Sequence, residues 1–197
     1  RFAQAAYLIN GNTTKGMDLS GFSEAPDTIA ARMEAVIREH GQLELKGTNL
    51  TGYGFIALRD GKSGDMLTDR KNSTQRDLWM YHGRNTGHGH RDTLNIGMIA
   101  YGLDILPDMG YPRYADYMDM HRVSVVINTI SHNTVIIDDK TQTPHLVGQP
   151  LHFDDGSLVK LFDVSAKTAY QGIADTYRRT SAMIKIDEGN SYVVDFF

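Results

Sequence analysis

The chain has 197 residues, of which 41% are apolar and 22% charged, with a net charge of −4 and no cysteine. This length is enough for one substantial domain, and the composition is that of an ordinary globular protein. The acidic balance argues against a non-specific nucleic-acid or anionic-membrane binder, and no apolar run approaches the roughly 20 residues of a membrane span. Without cysteine, any metal must be held by His, Asp or Glu.

The first elements are helical. Phe2 to Ile9 is an apolar, Ala-rich run that reads as the end of a helix, and the Gly/Asn/Thr/Ser-rich stretch from Asn10 to Ser23 reads as a loop. Pro26 and Asp27 then open a second helix. Ile29, Met33, Val36 and Ile37 form one apolar stripe on it, and it ends at Gly41.

From Gln42 the apolar period changes to two, at Leu43/Leu45, Tyr53/Phe55/Ala57, Leu78/Met80, Val123/Val125/Ile127, Val135/Ile137, Leu158/Lys160/Phe162 and Val193/Asp195. Asp60-Gly61-Lys62-Ser63-Gly64 and Asp154-Asp155-Gly156-Ser157 supply turns between such strands. Short strands with close turns predict a mainly β fold, an antiparallel β-sandwich over 42–197 behind a short N-terminal helical segment over 1–41. The chain opens at Arg1, shows no signal peptide, and stops at Phe197 within a strand-like run. It therefore reads as a piece of a longer protein, with the sandwich truncated at its C-terminal end.

The chemistry concentrates between Arg84 and His132. His88 and His90 are separated by one glycine in Gly87-His88-Gly89-His90-Arg91-Asp92, Asp108 follows in Pro107-Asp108-Met109-Gly110-Tyr111, and His132 in Ser131-His132-Asn133-Thr134. Two imidazoles and one carboxylate make a normal zinc set with a fourth position left for water. Asp108 and His132 both flank apolar segments read as strands, where an unpaired charge is costly. Spacing alone leaves open whether both rings of the His-Gly-His pair meet one ion or only one does. Gly87 and Gly89 permit close backbone approach and unusual dihedrals. Arg84 and Arg91 flank the histidines as candidate anion contacts. Tyr111, Tyr114 and Tyr117 can offer a hydroxyl or a sugar platform, and Asp92 is placed to orient a ligand histidine. Asn95 and Gly102 read as structural, and His82, His121, His145 and His152 carry no motif.

These blocks, in this order, resemble the C-terminal region of the heparinase II/III-like polysaccharide lyases and related oligoalginate lyases. The resemblance runs from about Thr51 to Asp139 and includes Gly52-Tyr53-Gly54-Phe55-Ile56-Ala57-Leu58-Arg59, Leu94-Asn95-Ile96-Gly97-Met98-Ile99-Ala100-Tyr101-Gly102 and Ser131-His132-Asn133-Thr134-Val135-Ile136-Ile137-Asp138. It implies a C-terminal antiparallel sandwich that follows an incomplete (α/α) toroid, of which residues 1–41 would be the last helices. It implies β-elimination on an acidic polysaccharide or oligosaccharide, and a periplasmic or secreted location. His90, Asp108 and His132 then match the Zn²⁺ ligands, and His88 matches the cleft-facing catalytic histidine. Tyr111 is the candidate catalytic hydroxyl, with Arg84, Arg91 and Tyr114 as substrate contacts.

Two other readings stand beside this one. A non-catalytic glycan-binding or structural sandwich is expected if the toroid half of the site is absent. A metal-dependent hydrolase is suggested by His88-Gly89-His90-Arg91-Asp92, but position 93 is Thr where that motif needs a further His.

Overall fold

The computed structural model describes the chain except Arg1, Gly11, Asn12, Gln42, Glu44, Leu45, 62–73, Pro112, Arg113 and Ala115. Two helices come first, α1 (Phe2–Ile9) and α2 (Pro26–His40). Pro26 sits in the first turn of α2, where its missing N–H costs nothing, and the Gly41 amide closes the last turn on Ile37. Among the α2 residues only Met33 of the expected stripe is fully buried.

The remainder forms two antiparallel sheets. The first has the order β1 (Thr48–Leu50), β2 (Phe55–Asp60), β3 (Arg76–Tyr81), β4 (Asn95–Ala100) and β5 (Leu103–Asp104). The second has the order β6 (Gln149–Asp155), β7 (Val159–Ser165), β8 (Arg178–Lys185) and β9 (Ser191–Phe196). Side chains alternate faces along a strand, so register decides which residues meet. Ile56 lies opposite Met80, which lies opposite Ile96, and Leu58, Leu78 and Met98 form the adjacent row. These rows join Phe162 and Val164 of β7 and Met183 of β8 in a single core cluster. Each fully buried side chain of this size contributes on the order of 1.5–3 kcal/mol. The fold is therefore the expected antiparallel sandwich behind a short helical segment.

Several local expectations are corrected. The alternation at Val123/Val125/Ile127 is not a strand, because Arg122–Val126 is a π-helical turn. Asp119 starts that turn, its carboxylate accepting from the amides of His121 and Arg122. The pair Val135/Ile137 makes only one isolated bridge, from Ile137 to Lys140. Tyr53 belongs to the turn before β2, and Leu158 to the turn before β7. Leu45 and the Lys62-Ser63-Gly64 half of the predicted turn lie outside the described residues.

Strands β6 and β8 were not expected from apolar period. In β8 the reason is visible in the register, which aligns Phe162 with Ser181 and Asp195, and Val164 with Arg179. Arg179, Ser181 and Asp195 thus lie on the face that carries the core, which breaks the apolar alternation. The Arg179 guanidinium donates to Asp195 at 2.9 and 2.8 Å and reaches across to the carbonyls of Leu94 (2.9 Å) and Asn133 (2.6 Å). It ties β8 and β9 to the segments that bear the site.

Candidate functional site

The site is built on the connections around β4 and not on strand ends. After β3, the chain from His82 to Thr93 crosses the end of the first sheet, and two glycines shape it. Gly87 has φ +68°, a left-handed conformation that L side chains rarely adopt, and a Cβ on Gly89 would lie 2.8 Å from the Arg84 carbonyl oxygen. Arg91 then turns inward. Its amide donates to the Ile127 carbonyl (2.8 Å), and its Nη1 to the Asn85 carbonyl (2.6 Å) and side-chain oxygen (3.3 Å). In this structure Arg91 braces the loop with one nitrogen of the group expected to contact substrate.

A further brace comes from Gln142, which is fully buried. Its side chain donates to the Thr93 carbonyl (2.9 Å) and the Tyr177 hydroxyl (3.0 Å) and accepts from the Thr93 amide (2.9 Å). Tyr177, whose phenol burial pushes up to about 12, donates in turn to the Val135 carbonyl at 2.7 Å. Two buried histidines lie behind the same loop. The His145 amide donates to Asn85, His82 Nδ1 donates to the Gly148 carbonyl at 3.2 Å, and His145 Nδ1 meets the Thr168 hydroxyl.

His90, Asp108 and His132 converge, with one donor atom from each within 4.8 Å of the others. Asp108 sits in the irregular segment after β5, and His132 caps the 3-10 turn Thr129–Ser131, so neither flanks a strand as expected. His132 Nδ1 donates to Asp108 Oδ2 at 2.8 Å, and the rings of His90 and His132 lie 5.2 Å apart. Asp108 is further fixed by the Gly110 amide (2.8 Å) and by Asn95 Nδ2 (3.2 Å). Asn95 also accepts the Asn133 amide at 2.8 Å, so this buried residue orients the carboxylate and supports the His132 segment together. Sequence reading assigned Asn95 a structural part and missed its contact with Asp108.

The electrostatics suit a cation. His132 hydrogen-bonds Asp108 and that bond holds the Asp108 carboxyl below its ordinary range. Burial, then the neighbouring His132 and Arg122, hold the His90 imidazole low and favour its neutral form. The Nε2 atoms of both His90 and His132 are buried without a hydrogen-bond partner. Buried lone pairs with no donor are costly, and a divalent ion satisfies them. The trio therefore fits such a metal on its donor chemistry. Asp92 does not hydrogen-bond either histidine. Burial raises its carboxyl to about 7, and one of its oxygens is unpaired, so its relation to the cluster is electrostatic.

His88 is not part of the trio. It is exposed, and its Nδ1 meets the Tyr111 hydroxyl at 2.9 Å. Tyr111 in turn stacks on His90 with centroids 6.0 Å apart and an 18° interplanar angle. One tyrosine thus joins the exposed histidine to the buried cluster. A groove of about 570 Å³ opens beside His90, Asp108 and Tyr111, and a second of about 560 Å³ runs past His88, Arg84 and Thr86. Tyr114 is exposed beyond Tyr111. Arg122 was not singled out by its sequence; it is fully buried under the Tyr117 ring at 4.8 Å, with Nε and Nη1 lacking partners.

Residues 48–185 match the family model described as heparinase II/III-like, C-terminal. No curated protein sequence gives a significant match. A solved structure titled as the heparinase III BT4657 gene product superposes with a TM-score of 0.60 at 14% identity, covering 98% of this chain and 27% of that one. A heparan sulfate lyase HepC mutant from Pedobacter heparinus gives 0.58 at 13% identity, over 86% of this chain and 25% of that one. A structure titled heparinase III gives 0.57 at 12% identity, over 88% and 29%. At these identities the likeness is one of fold, and the chain spans about a quarter of the length of each neighbour.

Proposed function

Since the chain belongs to the heparinase II/III-like C-terminal family, we propose that it is the sandwich portion of a polysaccharide lyase that breaks uronate-containing chains by β-elimination. The observation that carries this is the exposed His88–Tyr111 pair held against the His90, Asp108 and His132 cluster at the mouth of a groove. Elimination removes the C5 proton, turns that electron pair into the C4=C5 bond, and releases O4, which must gain a proton. With His88 Nδ1–H donating to Tyr111, His88 Nε2 carries a lone pair for the C5 proton. The Tyr111 hydroxyl retains its own proton for O4.

The substrate carboxylate must be neutralised for C5 to become acidic. We assign polar contacts with the sugar chain to the exposed Arg84 and Tyr114 and to the partly buried Arg91. We assign Zn²⁺ to His90, Asp108 and His132; when bound, it supplies a fixed positive charge that locks these side chains and the stacked Tyr111. The other polysaccharide-binding and catalytic groups belong to a helical domain outside this chain, in a protein of the periplasm or exterior. The neighbours' greater length supports that arrangement.

The test is the ultraviolet absorbance of an unsaturated uronate on incubation with heparan sulfate, chondroitin or alginate. The enzyme carrying this chain together with its helical domain should produce it, and His88→Ala should abolish it. The isolated chain should bind oligosaccharide without cleaving it. Product without a C4=C5 bond, or activity that survives loss of both His88 and Tyr111, would sink the lyase reading.

A further inference from the structure

Apart from His88, the residues lining the second groove take no part in the proton transfers of elimination. This groove shares Tyr53, Tyr81 and Gly89 with the groove beside His90, and it continues past His88, Arg84 and Thr86 to Leu146. The two grooves are thus neighbours, and the His88–Tyr111 hydrogen bond lies at their boundary, with His88 lining one and Tyr111 the other. Tyr53 is 69% exposed and stands edge-on to Tyr81, with centroids 6.1 Å apart at 63°. It forms an aromatic wall common to both grooves. Tyr81 is anchored below it by donating to the Arg84 carbonyl at 3.0 Å.

That bond fixes the Arg84 backbone and leaves its side chain exposed. Among the described residues no carboxylate lies in salt-bridge range of the Arg84 guanidinium, whereas Arg32, Arg38, Arg59, Arg76, Arg178 and Arg179 all have one. An unneutralised guanidinium on a braced backbone, beside a hydroxyl (Thr86) and an apolar floor (Leu146), suits a sugar bearing an anionic group. The apolar face of the ring meets the floor, and the anion meets Arg84 in a bidentate pair.

We propose that this second groove holds the sugar on the far side of the bond broken at His88 and Tyr111, and that Arg84 selects a sulfate or carboxylate on that neighbouring sugar. The proposal rests on the lyase reading above. It makes the cleft a two-sugar site in which one partner is recognised for charge independently of the sugar that loses its C5 proton.

Three disaccharides titrated against the chain by NMR would test it: N-sulfoglucosaminyl-glucuronate, its N-acetyl counterpart, and dimannuronate. The N-sulfo compound, dimannuronate or both should bind about tenfold more tightly than the N-acetyl compound, as a charge-assisted bidentate contact allows. A gain for the sulfated probe alone identifies sulfate as the group read, and a gain for dimannuronate alone identifies carboxylate. Arg84→Ala should erase the gain, Arg84→Lys should restore part of it, and shifts should extend to Thr86 and Leu146. Equal affinity for all three, unchanged by Arg84→Ala while His88 and Tyr111 signals still move, overturns this proposal and leaves the lyase reading standing. Absence of binding by any probe overturns both.

Discussion

His82 and His145 give the structure a pH response whose size can be worked out in advance. Burial holds both imidazoles below their ordinary range, and for His145 the adjacent His82 adds to the effect. Both Nε2 atoms are buried without a partner, so a proton added there would have no acceptor. The unfolded chain takes up protons at both sites near pH 6.5, and the folded chain does so only at lower pH. Their stabilising contribution is therefore complete above about pH 6.5 and is lost as the pH falls below it. If both stay neutral in the fold, going from about pH 7.5 to about pH 5.5 costs about 1.4 kcal/mol per histidine, or about 2.7 kcal/mol for the pair.

Asp92 works in the opposite direction. Its carboxyl is raised to about 7 by burial, so the fold gains a proton over the same interval and recovers about 2 kcal/mol. His90, also held low by burial, adds a loss of the same sign, so only a comparison of variants isolates His82 and His145. Replacing each by Asn preserves a donor near the Nδ1 position, and the readout is the change in urea unfolding free energy between the two pH values. His82→Asn and His145→Asn should each remove acid sensitivity, by up to about 1.4 kcal/mol, whatever either costs at neutral pH. A variant whose pH difference equals that of the parent chain would refute the assignment of buried neutral imidazoles.

Other outcomes follow from the geometry. Titration with zinc should show one site per chain. His132→Ala should weaken it at least about 100-fold, whereas His88→Ala should change it by no more than about threefold, since only the former is in the cluster. Gly89→Ala should lower zinc affinity and destabilise by about 1–3 kcal/mol, because its Cβ meets the Arg84 carbonyl; unchanged zinc affinity would count against that close contact. Arg179→Met strips Asp195 and the Leu94 and Asn133 carbonyls of their donor. A loss of about 3 kcal/mol in urea unfolding is expected, and a loss under about 1 kcal/mol would mean that the clamp is replaced by water.

The first sheet was legible as strands through Phe55/Ala57 and Leu78/Met80, but the core face of β2 is Ile56 and Leu58, hidden because both faces of that strand carry apolar residues. The segment Val123–Ile127 was not legible, since β-branched residues carry strand propensity that local capping by Asp119 and the Arg91–Ile127 bond override. The second sheet hid β8 because its core-facing positions include Arg179 and Ser181. In the site, the separation of His90 from His88 was expected through family resemblance, and the geometry has His90 with Asp108 and His132 and His88 with Tyr111. The parts played by Asn95, Gln142 and Arg179 left no local pattern, because each acts through main-chain groups that are distant in sequence.

The reach of Arg179 bears on how this site can be moved or repaired. Loops carrying His88 to His132, transplanted onto another sandwich, would arrive without the donor that holds Leu94 and Asn133. A successful transplant would have to bring the paired strands β8 and β9 with it, so that Asp195 keeps the guanidinium aimed. Recombination between relatives should accordingly tolerate crossovers before β2 far better than crossovers between His132 and Arg179.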